Sequence, residues 1–297
     1  MEDIDITQHR EAFSFVQALA IEVSEGRVEL PSYPEAATRV QRALSSDDVD
    51  PAVVVSAVGS EPALALRVLK MANSALLNPM GRQVLDIKTA VSRIGYNMVR
   101  TASVSFVVEQ LRQSEQLREL RPQLAELWHE SVVLAALSRV IAVRQTRVNP
   151  DVALLAGLLH GVGKLYILMR LQELPRLLVY PETCGRILRE WHGGVARAIL
   201  ENWGVPDEVG EAVQEFESLD RDLLRTASLS EVLTAASLFA LFRANRDTHA
   251  PLDEGIARLV SHNTRFWQRL HIDAPLAQDL LTAAEAEIEA LHAVLGH

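Results

Sequence analysis

Leu154-Leu155-Ala156-Gly157-Leu158-Leu159-His160-Gly161-Val162-Gly163-Lys164-Leu165 is the stretch on which the fold turns. It lies inside a longer apolar run, Val152 to Met169, interrupted only by one histidine, one lysine and three glycines. Read as a helix, the run places His160 and Lys164 one turn apart on the same face. Its remaining circumference is apolar, which suits a helix buried in a protein core, and the ionisable pair and glycines argue against a membrane span. The glycines do not make a phosphate loop. Gly-x-x-x-x-Gly-Lys-Ser/Thr needs a hydroxyl for Mg²⁺, whereas position 165 is Leu and the first glycine is out of register. They read instead as points where a neighbouring helix comes close.

Outward from this run the pattern stays helical. Leu, Ala, Glu and Arg dominate, apolar residues recur at steps of three and four, and alternating Val/Ile/Thr runs are missing, so the fold class is all-α. Asp50-Pro51, Ser60-Glu61-Pro62 and Asn149-Pro150-Asp151 each set a capping side chain before a proline suited to a first helical turn. Short helices between about Leu30 and Gln113 form a first lobe. The polar Gln113 to Pro122 segment leads into a long helix from Pro122 to Arg144 and a second lobe reaching about Leu219. The last helix carries Leu276, Leu280, Ala284, Ile288, Leu291 and Leu295 on one stripe, which predicts a helix packed on its own lobe, with a homodimer as the other reading.

With 297 residues, 48% of them apolar and 23% charged, the chain can bury a large core without disulfides or a structural metal. The net charge of −10 opposes nucleic acid as a partner. Cys184 is the only cysteine, which excludes an intramolecular disulfide, a four-thiolate zinc site and a C-x-x-C redox pair. Its default role is packing. The opening Met1 to Ile6 is acidic where a signal peptide would be basic. A cytoplasmic protein without membrane partners is expected.

Of nine histidines, His9, His249, His262, His271, His292 and His297 read as ordinary surface residues, while His129, His160 and His192 stand in segments that can converge. His129-Glu130 opens like a zincin motif, but position 133 is Val, so the second histidine of that face is missing. With no carboxylate beside His160 or His192, structural roles are favoured over a metal site.

Two groups of segments carry a family resemblance. Leu30-Pro31-Ser32-Tyr33-Pro34-Glu35, Glu61-Pro62-Ala63-Leu64 and Val68 to Ala75 resemble the HDOD opening, a Leu-Pro-x-x-Pro entry followed by a DPALxxRxLxxANSA helix and a helix ending near Ile94-Gly95. Leu154 to Leu165, with Glu190 to Pro206, is similar to the family's AxLAGLLHDIGKL and ExxHxxxGAxLLxxWxLP segments. The resemblance implies an N-terminal helix over 1–25, an HDOD domain over 26–217 and a C-terminal helical extension over 218–297.

HDOD is a branch of the HD phosphohydrolase fold, whose metal-dependent members hold divalent ions with a His, a His-Asp pair and a distal Asp. The resemblance implies that this site is degenerate here. Glu130 takes the first ligand position and His129 falls one residue, about 100°, out of register. The pair reads His160-Gly161, the double histidine falls at Phe216-Glu217, and the distal aspartate falls at Ser237. His160, His192 and Glu130 are the remaining metal candidates, with Lys164 and Arg197 as candidate ligand-binding cations. The expected function is a non-catalytic bacterial signalling module with protein partners and no cofactor. A residual phosphohydrolase and a nucleotide-sensing cleft are the alternatives.

Overall fold

The computed structural model describes residues 2–28, 35–46, 48–178, 180–219, 227–245 and 252–295, and among them every regular element is a helix. The Leu30 to Pro34 entry motif, His249 and His297 lie outside the described residues, as does the side chain of His9. The chain opens with α1 (Glu2–Ser24) and continues through α2 (Glu35–Leu44), α3 (Pro51–Gly59), α4 (Pro62–Ala72) and α5 (Ile87–Gln113). A 3-10 turn over Glu115–Leu120 then leads into α6 (Arg121–Gln145).

Capping chemistry sets the predicted starts. Asp50 accepts from the Ala52 amide at 2.8 Å at the head of α3, and Glu61 rather than Ser60 caps α4 by accepting from Ala63 at 3.4 Å. At the other end of α4, Asn73 Nδ2 donates to Leu69 O at 2.9 Å and to Val84 O at 2.8 Å, while its Oδ1 accepts from Val84 N at 2.8 Å. One amide thus ends the helix and fastens the segment that returns to α5. Within α5, Gly95 has φ 75° and breaks the helix after Ile94, a backbone state that favours glycine. Beyond the break, Met98 to Val107 is buried, and α5 packs against elements of both lobes.

The second lobe comprises α7 (Pro150–Leu159), α8 (Val162–Gln172), α9 (Pro175–Leu178), α10 (Pro181–Asn202) and α11 (Asp207–Glu215). Asn149 caps α7 through the Asp151 amide at 2.9 Å. The run expected as one helix divides at His160-Gly161, where the chain turns between α7 and α8. Pro150–Gln172 is long and apolar enough to cross a membrane, and its most apolar 18-residue window is 89% buried within the fold. The glycines act as expected: a Cβ on Gly157 would lie 2.5 Å from Ala135 Cα, and one on Gly163 would lie 1.9 Å from His192 O. At these points α7 meets the backbone of α6 and α8 meets the backbone of α10.

The remaining helices are α12 (Leu229–Asn245), α13 (Leu252–His262), α14 (Thr264–Arg269) and α15 (Ala274–Leu295). The apolar stripe of α15 is buried by its own chain at Ala277, Leu280, Ala284, Ile288, Leu291 and Leu295. It packs on α6 and reaches α4, where Arg67 donates to Leu295 O at 3.0 Å, so it ties the two lobes together. Cys184 is buried, with Sγ 3.1 Å from Leu177 O, and serves packing.

Candidate functional site

The turn between α7 and α8 sets the floor of the site. His160 is 4% exposed, and its Nδ1 lies 2.8 Å from the Gly157 carbonyl. A carbonyl only accepts, so Nδ1 carries the proton and Nε2 presents a lone pair. Burial, then the nearby Lys164 ammonium, push the His160 pKa down to about 4, so the ring is neutral at pH 7.

Close contact at Gly163 brings α10 against α8 and sets His192 beside this floor. His192 is 3% exposed, and the Phe216 ring stands edge-on to both imidazoles, with centroids 5.8 Å from His160 and 6.3 Å from His192. Glu217, just past the end of α11, places Oε2 3.1 Å from His192 Nε2 and Oε1 3.6 Å from Lys164 Nζ. The His192 hydrogen bond, with help from Lys164, holds the Glu217 carboxyl below its ordinary pKa against the opposing effect of burial. His192 Nδ1 has no hydrogen-bond partner among the described residues.

Above this floor opens a cleft of about 610 Å³. Seven residues singled out from the sequence line it: His129, Glu130, His160, Lys164, Phe216, Glu217 and Ser237. Three others do not. His192 lies beneath, reaching the cleft through Glu217. Gly161 turns its Cβ direction toward Leu127 Cδ1 at 2.7 Å and Ser131 Oγ at 3.3 Å, lining a separate apolar pocket. Arg197 is partly exposed on α10 and is taken up by Glu201 at 2.9 Å and Gln214 at 3.0 Å, outside the lining of the cleft.

Sequence reasoning missed two contributors. Arg189, one turn before His192 on α10, lines the cleft, and its three-residue spacing from His192 was the available signal. One wall comes from α12, where Thr234, Ser237, Leu238, Leu241 and Ala244 recur at helical spacing, with Arg243 beside them. His129, one of the three histidines expected to converge, stacks on His292 at the cleft, with ring centroids 5.2 Å apart and planes 13° from parallel. His292 is therefore half-buried and in contact, which corrects its expected surface role. His262 and His271 are exposed as expected.

The donors present do not fit a hard divalent metal. Among the described residues no group of three or more His, Cys, Asp or Glu side chains converges. His160 offers one neutral nitrogen, Gly161 offers no ligand, Ser237 no carboxylate, and Glu217 is already engaged by His192 and Lys164. The ammonium of Lys164 lines the same cleft and would repel a dication.

The sequence pattern of the HDOD domain matches residues 30–219. The chain belongs to the HDOD domain family. A provisionally named metal-dependent phosphohydrolase from Shewanella amazonensis SB2B superposes with a TM-score of 0.68 at 24% identity, covering 95% of this chain and 99% of that one. A provisionally named signal transduction protein from Marinobacter aquaeolei VT8 gives a TM-score of 0.64 at 20% identity, over 97% of this chain and 66% of that one. At these identities the likeness is one of fold. A protein of Treponema pallidum (strain Nichols), named only as uncharacterized, is 24% identical over 215 residues, 68% of this chain. The chain spans about 40% of the length of that relative. The HDOD match stops at residue 219, so the α12 wall of the cleft lies beyond it.

Proposed function

We propose that this HDOD chain is a non-catalytic module of bacterial signal transduction that acts through protein contacts in the cytoplasm. One observation carries the reading: the cleft holds its own cation, with Lys164 facing Glu217 at 3.6 Å and Glu217 bonded to His192 at 3.1 Å. A hydrolytic site of this fold class needs free metal ligands and room for a metal-activated water. Here the carboxylate is spent on an internal pair and the partner histidine is buried beneath it.

Protein contact is supported by the segment between α4 and α5, where Met80 is 83% and Leu85 77% exposed. Asn73 holds that segment at Val84, so the two side chains are displayed on a fastened backbone. Such pre-ordered apolar side chains favour docking, because little freedom is lost on binding.

The test compares the wild type with the double variant Met80→Asp, Leu85→Asp as bait in lysate of the native cell. A defined set of proteins retained by the wild type and lost by the variant, at unchanged Tm, is the expected result. Identical retention by both, or metal-dependent phosphodiester turnover by the purified wild type, would overturn the reading.

A further inference from the structure

The cleft lining has two unlike characters. One is cationic, from Lys164 and Arg189, together with the neutral His160 ring. The other is the aliphatic face of α12, with Leu238 half-buried and Leu241 57% exposed at the mouth. Lys164, Arg189 and Arg243 line the cleft with Glu130 and Glu217, in a chain with net charge −10. Lys164 faces Glu217 and Arg243 bonds Glu285 at 2.8 Å, whereas Arg189 makes no ion pair among the described residues. Arg189 is exposed, and a guanidinium beside an apolar wall favours the flat, two-oxygen geometry of a carboxylate.

The character of the wall decides what that anion carries. A nucleobase needs a ring face to stack on. The rings here are already engaged, with Phe216 edge-on to both buried histidines and His129 on His292. Leu238 and Leu241 offer an aliphatic surface instead, suited to methylene groups. We propose that the cleft binds a medium-chain aliphatic carboxylate, its head at Arg189 and Lys164 and its chain along α12. This goes beyond the proposed protein contacts and does not depend on them, since the docking segment lies on other elements. It makes α12, which lies beyond the family match, part of a sensor for acyl anions.

The experiment is titration calorimetry of the full chain with octanoate, decanoate, octanol and ATP. At about 0.8 kcal/mol per buried methylene, decanoate should bind about fifteenfold more tightly than octanoate. Octanol, lacking the charge, should bind at least tenfold more weakly than octanoate. Arg189→Ala should weaken decanoate about tenfold, and Leu241→Glu should abolish its binding. Leu66→Glu, at an exposed site on α4, should leave binding unchanged. Absence of decanoate binding, equal affinity for octanoate and decanoate, binding of ATP alone, or an equal loss in Leu66→Glu and Leu241→Glu would each overturn the proposal.

Discussion

Glu217 accepts a hydrogen bond from the buried Nε2 of His192 at 3.1 Å, and this bond joins the end of α11 to the centre of α10. It satisfies one nitrogen of a ring that solvent does not reach, leaving the carboxylate's other oxygen facing Lys164. The contact makes His192, Glu217 and Lys164 one packing and charge network. The stability of that network carries a pH signature.

His160 is the group that sets it. Its folded pKa of about 4 lies below the ordinary value of 6.5, so between these limits the unfolded chain binds a proton that the folded chain does not. Stability is therefore full above about pH 6.5 and falls as pH drops toward 4, by about 3 kcal/mol from this residue when the shift is converted at 1.36 kcal/mol per unit. Urea unfolding at pH 7 and pH 5 measures it. His160→Gln should show a clearly smaller drop than the wild type; equal drops would remove His160 from the account.

Much of this architecture was legible in the sequence, because helix starts and core stripes are local. Asp50, Glu61 and Asn149 stand before prolines and cap the helices they were expected to start. His160, Lys164 and Glu130 could be brought together by the family's order of motifs. The division at His160-Gly161 was hidden, since an apolar helical pattern continues unbroken through it. Arg189, Arg243 and the His129–His292 stack were illegible for another reason: each depends on how distant helices cross, which composition and spacing do not encode. For Arg197 the sequence left a ligand-binding cation and a solvated side chain as alternatives, because a cation near a site carries no direction, and its helix turns it to Glu201 and Gln214.

The crossing of α8 on α10 predicts opposite effects for two glycines. A Cβ on Gly163 would lie 1.9 Å from a backbone oxygen, so Gly163→Ala must separate the helices and should cost about 3 kcal/mol or prevent folding. Gly194, on α10, has nothing within 4 Å of a built Cβ. Gly194→Ala should stabilise by up to about 1 kcal/mol through helix propensity. Thermal unfolding of both variants checks the pair, and similar destabilisation in the two would contradict the crossing.

Asn73 makes three hydrogen bonds that Leu cannot make. Asn73→Leu should lose about 2–3 kcal/mol, since backbone groups of Val84 are left without partners. Ala72→Arg, at a position with no exposure, should be at least as damaging. Unchanged melting temperatures in both variants would mean that this helix end is solvent-exposed.

Gly161→Asp restores the His-Asp pair in name only. The new side chain is directed at Leu127 and Ser131 in an apolar pocket, where an unpaired carboxylate costs about 2 kcal/mol or more or is driven to its neutral form. Lower stability without phosphodiester hydrolysis in Mn²⁺ or Fe²⁺ is the expected outcome. Turnover in this variant would show that Glu130, His160 and His192 can still assemble around a metal.

Metal stoichiometry tests the central claim most directly. The full chain is dialysed to equilibrium against Mn²⁺, and separately against anaerobic Fe²⁺, at concentrations near that of the protein, and bound metal is measured by plasma mass spectrometry. A cleft that carries Lys164 beside an engaged Glu217 predicts well under one-tenth of an equivalent of either metal. One equivalent or more, lost in a His160→Gln variant that keeps its fold, would contradict the account and restore the cleft as a metal centre.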